Sequence, residues 1–314
     1  MPTWDSLLSQ LNTLQTPDQK QQFLNSTLNN ALDKIAKRRG SNTLIYASSF
    51  LQKPMIPPFL TQISPEDING FKASISGLDF NKPLTLILHT PGGVMAATET
   101  IVEYLRSKFS YMEVIVPVYA MSGGTMMALA ANKIVMGRQS QLGPIDAQLA
   151  TQQGISMSAS SILAQFEKAK EEIAKDKATA AVWAPVLSTI GPSLIQQAQN
   201  SLECGGQMVE RWLASSLLSG KDDAETQAAT IAGYFNSEDV HLSHGRRISA
   251  QEAVDVGLDI EILEDDQDFQ DEVLTAYHMA TLVFEQTPVA KLMRNDQGRG
   301  WIKNSPVPAP QPTP

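Results

Sequence analysis

The sequence predicts an α/β fold built from β–α–β units, and three observations predict it. "LTLILHT", Leu84 to Thr90, is a nearly continuous apolar run, the pattern of a parallel strand with helices on both faces. Apolar runs alternate with segments of helical period through the middle of the chain, as crossover connections require. Two of the runs end in glycine pairs, "PGG" and "SGG", that lead directly into helical segments, so the turns at the ends of strands carry unusual backbone.

Taken in order, Thr16 to Arg39 places Phe23, Leu28, Leu32 and Ile35 at roughly helical spacing and ends in a basic turn before Gly40, which predicts an amphipathic helix. "NTLIYAS", Asn42 to Ser48, reads as a strand, and "PEDINGFKASISGL" as a short helix capped at Ser64. After the Leu84 strand, "VMAATETIVEYLRSKF" carries Ile101, Leu105 and Phe109 at helical spacing. "EVIVPVYA" is the next strand, the segment after Ser122 the next helix, and "KIVMG" a short strand. Ser158 to Trp183 and Ile195 to Leu218 read as long helices, the first with a charged face, "EKAKEEIAKDK", that suits solvent. A helix capped by Ser249, a strand in "DIEIL" and a last helix from Asp271 to Phe284 follow. "SPVPAPQPTP" has five prolines in ten residues, which excludes helix and sheet pairing. The expected organisation is an amphipathic helical segment over 1–40, one α/β domain over 41–290 and a proline-rich disordered tail over 299–314.

A chain of 314 residues that is 42% apolar can bury a sizeable core. Its formal charge of -9 and the scarcity of Lys/Arg clusters argue against a nucleic-acid partner. The single cysteine, Cys204, forms no disulfide within the chain and suits a reducing compartment. The N-terminal residues show neither a basic start nor an apolar h-region, and no run reaches the ~18 apolar residues of a membrane helix. The expected address is cytoplasmic, with no membrane span.

Loops at the carboxyl ends of parallel strands collect chemistry. Acyl transfer needs a hydroxyl nucleophile, a base and backbone N–H donors for the oxyanion. Ser122 offers the hydroxyl, Gly123 one donor, and Gly92 or Gly93 another. Serine before a helix is equally an ordinary N-cap. The spacing departs from the G-x-S-x-G elbow, since Ala120 and Met121 precede the serine.

"RRGSNTLIYAS", "LILHTPGGVMAATETIVEYLR", "VPVYAMSGGTMMALAANKIVMG" and "LGPIDAQ", in that order, resemble the serine dehydrogenase proteinase family. That family lies within the superfamily of the Clp protease proteolytic subunit and signal peptide peptidase A. The resemblance implies a crotonase-like, ClpP-type β/α spiral with an N-terminal helix and added C-terminal helices. It implies a serine endopeptidase with nucleophile Ser122, an oxyanion loop at Gly92 and Gly93, no metal and no organic cofactor. Its partners would be a peptide or protein substrate and further copies of the chain in a homo-oligomer.

The base departs from the Clp-type pattern. Where relatives keep a histidine, shortly after the serine, this sequence has Asp146; where they keep an acid, before the "SAQEAVDVGL" helix, it has His241 and His244. The exchange predicts that His244 accepts the Ser122 proton and Asp146 orients the imidazole, histidine being basic enough yet mostly neutral at pH 7 with its ordinary pKa of about 6.5. His241 is an alternative base. A lysine dyad, as in signal peptide peptidases, would draw on Lys168, Lys170, Lys175 or Lys177, but these sit among acids where a lysine stays charged. His89 either faces the site or packs in the sheet, and Met126 and Met127 read as core. Two other readings remain: a crotonase-type acyl-CoA enzyme, with Ser122 structural, and a ClpP-like scaffold without activity.

Overall fold

The computed structural model describes residues 3–150, 156–190 and 192–305. They form two compact units, Met1–Leu142 with Ser249–Pro314, and Gly143–Ile248.

The first unit is built on a sheet with strands in the order β11-β10-β1-β2-β3-β5-β9. In chain order its strands are β1 (Asn42–Ser48), β2 (Leu84–His89), β3 (Met112–Val116), β5 (Lys133–Met136), β9 (Ile260–Ile262), β10 (Val289–Asn295) and β11 (Gly300–Asn304). From β1 to β9 neighbours are parallel, while β10 and β11 add an antiparallel hairpin on the β1 side. The short strands β4 (Tyr119–Ala120) and β6 (Gln141–Leu142) form a separate parallel ladder.

Helices cover both faces of this sheet, so every residue of β1 and β2 is buried and neither strand alternates in polarity. Helices α1 (Trp4–Thr13), α2 (Pro17–Arg39) and α12 (Gln267–Gln286) share a core with Ile45, Ala47, Ile87, Ile115 and Val135. Tyr46 points to the opposite face and stacks on Phe71 of α3 (Asp67–Ile75), ring centroids 5.5 Å apart. Helices α4 (Met95–Lys108), α5 (Gly123–Leu129) and α11 (Ala250–Asp255) complete the unit.

Helix α2 follows its sequence signals. Thr16 and Gln19 form a capping box at its start, and Gly40, at φ 63, ends it in the left-handed conformation that favours glycine. Its buried stripe includes Leu28, Leu32 and Ile35. Ser249 likewise forms a capping box on α11 with Glu252.

Several elements differ from the sequence reading. Residues 1–40 hold two helices whose apolar faces belong to the sheet core. Ser64 does not cap α3; its N–H is held by Asp67 Oδ2 at 2.9 Å. The strand expected through Ala120 divides at Pro117 into β3 and β4, proline lacking the N–H a ladder uses. The last helix starts earlier, at Gln267, because Asp266 caps it. Strands β10 and β11 carry the sheet past residue 290 and take residues 300–304 out of the expected tail; residues 306–314 lie outside the described residues.

The second unit holds α6 (Ala159–Lys175), α7 (Ala180–Ile190), α8 (Pro192–Ser215), α9 (Ala224–Asn236) and α10 (Glu238–His241), with the hairpin β7 (Gln148–Ala150) and β8 (Ser156–Ser158). The long helix expected over 158–183 breaks after Lys175, where Asp176 caps a short 3-10 turn, Lys177–Thr179. Ala159, Ile162, Ile190, Leu194 and Ala198 form one apolar cluster of this unit. Among the described residues no single helix is long and apolar enough to cross a membrane; the bent pair Lys177–Ser188 and Ser193–Ser215 meets that test by length and composition only.

Leu32 is fully buried in the α2 stripe. Leu32→Ala is expected to lower unfolding free energy by about 2–5 kcal/mol, measured by urea denaturation.

Candidate active site

The two glycine loops leave adjacent strand ends. Thr90, just past β2, bridges to Ala120 of β4; the Thr90 N–H donates to the Tyr119 carbonyl at 3.0 Å, and the Met121 N–H to the Thr90 carbonyl at 3.1 Å. "TPGG" and "MSGG" are therefore laid side by side. An L-side chain at Gly92, at φ 92, would put its Cβ 2.7 Å from the Ser122 Cβ and 2.6 Å from the Met121 carbonyl. Only glycine permits that approach.

Ser122 has φ 50 and ψ -114, and its side chain makes no capping hydrogen bond to α5. The bland reading of this serine as an N-cap is thereby removed. A non-glycine residue held there stores strain, on the order of 1–3 kcal/mol, and persists only where its surroundings enforce it. Here the Gly124 N–H donates to the Met121 carbonyl at 2.8 Å and the Met126 N–H to the Ser122 carbonyl at 3.0 Å, fixing the backbone on both sides.

The neighbouring N–H groups divide by use. That of Gly92 donates to Thr90 Oγ1 at 3.2 Å, so Gly92 serves as a point of close approach rather than as an oxyanion donor. Those of Gly93 and Gly123 donate to no group among the described residues. They are near one another, an ideal Cβ on Gly123 lying 3.4 Å from the Gly93 nitrogen. Two unengaged donors beside a strained serine are groups of the kind an oxyanion accepts hydrogen bonds from.

The second unit pairs the expected acid and base. His244 Nδ1 donates to Asp146 Oδ1 at 2.8 Å, and Gln148 Nε2 donates to Asp146 Oδ2 at 2.8 Å. Asp146 is buried while His244 is half-buried. A carboxylate only accepts, so the neutral ring carries its proton on Nδ1 and its free lone pair on Nε2. The Ile145 N–H donates to the Phe235 carbonyl at 2.9 Å, which seats the acid against α9. Leu242, at φ 61, turns the chain between His241 and His244.

A family model described as the ClpP-like SDH-type serine proteinase matches residues 6–203. The chain belongs to the ClpP-like SDH-type serine proteinase family. Two proteins of Methanocaldococcus jannaschii are similar to it. Uncharacterized protein MJ0137 is 31% identical over 232 residues, 73% of this chain and 72% of that protein. Uncharacterized protein MJ1495 is 34% identical over 121 residues, 37% of this chain and 40% of that protein. Two solved structures of the 1510-N membrane-bound stomatin-specific protease, both mutants and one in complex with a substrate peptide, share 18% identity with a TM-score of 0.39. They cover 67% of this chain, and 79% and 75% of their own.

In this family member the other candidates have different surroundings. His241 is buried, its Nε2 donates to the Tyr234 carbonyl at 2.7 Å, and its ring packs edge-on against Tyr234. Lys168 is exposed on α6, without the burial a lysine base requires. Met126 and Met127 are buried core residues. Ile63 was not legible as part of the site: its N–H donates to the Gly92 carbonyl at 2.7 Å, and its carbonyl accepts from the Val94 N–H at 2.9 Å.

His89 lies on the same strand face as Ile87, toward α12, where its ring meets those of Phe50 and Tyr277, each with centroids 5.0 Å away. It is fully buried, and neither ring nitrogen has a hydrogen-bond partner among the described residues. Burial pushes its pKa down to about 3. Because the unfolded chain protonates this group near pH 6.5, it binds more protons than the folded chain between those values. Stability contributed by neutral His89 is complete above about pH 6.5 and is lost as pH falls toward 3, by up to about 1.4 kcal/mol per pH unit. Urea midpoints measured from pH 7 to 4 are expected to fall, and His89→Phe to flatten that fall.

Proposed function

We propose that this family member hydrolyses peptide bonds through an acyl-enzyme on Ser122. The observation that carries the reading is the serine itself: its backbone is held at φ 50, and its hydroxyl is withheld from the helix it precedes. An enzyme that only stabilised a thioester enolate would need the N–H donors but no strained serine, so the acyl-CoA alternative lacks a reason for this conformation.

The chemistry follows from the groups present. Ser122 Oγ adds to the scissile carbonyl as its proton passes to His244 Nε2, and the Asp146 carboxylate stabilises the imidazolium that forms. The tetrahedral oxyanion accepts from the Gly93 and Gly123 N–H groups. One such donor contributes about 2.7–4 kcal/mol to transition-state stabilisation in serine peptidases. Collapse breaks the C–N bond, and the leaving amine takes the proton from His244. Water, deprotonated by the same imidazole, then releases the acyl group and restores Ser122.

A fluorophosphonate probe followed by peptide mapping tests the nucleophile. A single adduct is expected at Ser122, with none in Ser122→Ala and fluorescein-casein hydrolysis reduced at least about 10⁴-fold in that variant. Labelling at another serine, or undiminished hydrolysis by the alanine variant, would sink the reading. For the base, His244→Ala is expected to lower kcat about 10²–10⁴-fold, while Lys168→Ala stays within twofold of wild type. A His244 variant with wild-type turnover would remove that residue from the mechanism.

A further inference from the structure

We propose that the fully buried Lys291–Asp67 ion pair is a positioning device for the oxyanion donor of Gly93; this rests on the peptidase reading above. Lys291 lies on β10, and its Nζ donates to both carboxylate oxygens of Asp67 at 2.8 Å and to Ser64 Oγ at 3.2 Å. Both charged side chains are completely inaccessible to solvent. The same carboxylate accepts from the Tyr46 hydroxyl at 3.0 Å and from the Ser64 N–H at 2.9 Å. The turn from Ser64 to Asp67 is therefore fixed by three groups, the Tyr46 hydroxyl and the N–H and hydroxyl of Ser64, converging on one carboxylate and its lysine.

Ile63 immediately precedes that turn and forms an isolated parallel bridge with Gly93. Its N–H binds the carbonyl of Gly92 and its carbonyl binds the N–H of Val94, so it clasps the loop on either side of Gly93. The contact is tight: a Cβ on Gly93 would lie 2.3–2.8 Å from Ile63 backbone atoms. The carbonyl of Gly92 and the N–H of Gly93 belong to one planar trans peptide and point in opposite directions. Holding the carbonyl on Ile63 consequently turns the Gly93 N–H away from Ile63. A rotation of that peptide would spend the donor elsewhere and leave the serine with one N–H.

An ion pair suits this task because it has direction. An apolar contact resists separation yet tolerates sliding, whereas a carboxylate with fixed donors on both oxygens admits one orientation. The second strand of the hairpin adds a further tie, since Lys303 of β11 pairs with Glu66 inside the same turn.

The test replaces both charges with apolar groups of similar volume, Lys291→Met with Asp67→Leu, because removing one partner alone would strand a buried charge. Hydrogen exchange at the Ile63 and Val94 amides is expected to quicken at least tenfold while β2 and β3 amides keep wild-type protection. Fluorophosphonate labelling of Ser122 and kcat on fluorescein-casein are expected to fall 10- to 100-fold with KM unchanged. Leu32→Ala, which weakens the core without touching the clasp, should label at the wild-type rate. Unchanged protection at Ile63 and Val94, or faster exchange with undiminished labelling, would overturn the positioning role alone. Wild-type protein that fails to label at Ser122 would overturn the peptidase reading and this role with it. If the double variant does not fold, Asp67→Glu carries the same measurements; it keeps both charges but moves the carboxylate by one methylene from the Tyr46 hydroxyl and the Ser64 N–H, and equal exchange and labelling there overturn the proposal.

Discussion

The approach of the Gly92 backbone to Ser122, closer than any Cβ allows, sets the terms for the rest of the site. It requires two loops from different strands to run in contact, which the Thr90–Ala120 bridge secures. Close contact in turn requires small residues on both sides: besides Gly92, a Cβ on Gly123 would strike Thr98 Oγ1 and one on Gly124 the Thr90 methyl, at 2.6 and 2.5 Å. Glycine costs conformational entropy in each place. That cost is offset by the parallel ladder beneath, where β2 is paired on both sides and wholly buried. The serine's strained backbone is thus a consequence of packing: the residue is caught between two loops whose positions the sheet has already determined.

Much of this scaffold was legible because local chemistry and tertiary position agree. Thr16, Gln19 and Gly40 bound α2 as their side chains and backbone preferences dictate, and the unbroken apolar run of β2 reports two covered faces. The four ordered motifs likewise pointed to the serine proteinase family to which the chain belongs. The state of Ser122 was not legible. A serine before a helix is chemically an N-cap, and whether its hydroxyl turns to the helix or away depends on Gly92, thirty positions earlier in the chain. Nor could sequence alone choose between Gly92 and Gly93 as donor, since the choice rests on Thr90 taking the first N–H.

The hairpin of β10 and β11 escaped the sequence reading for a different reason. "VAKLMRN" mixes cations into an apolar run, and the sequence reading assigns it to no element. In the fold Lys291 is fully buried because Asp67, more than two hundred residues away, meets it. A buried charge is tolerable only with its partner, and the partner lies in a segment that reads locally as the start of a surface helix. The least legible strand of the sheet is therefore the one that ties the Ser64 turn, and through it the loop beside Ser122, to the sheet.

The exchange of acid and histidine has a related explanation. The resemblance to Clp-type proteases implies a histidine where this chain has Asp146 and an acid near the position of His244. Physically a relay depends on which atoms meet, not on which loop supplies them. The hydrogen bond between His244 Nδ1 and Asp146 Oδ1, at 2.8 Å, joins an acid to an imidazole, and in the relay proposed above it would keep the couple with its members reversed along the chain. Burial also falls on the member that chemistry prefers: the acid is enclosed and held from two sides, while the imidazole is half-buried. A carboxylate that orients needs rigidity, whereas a base that exchanges protons with substrate and water needs access.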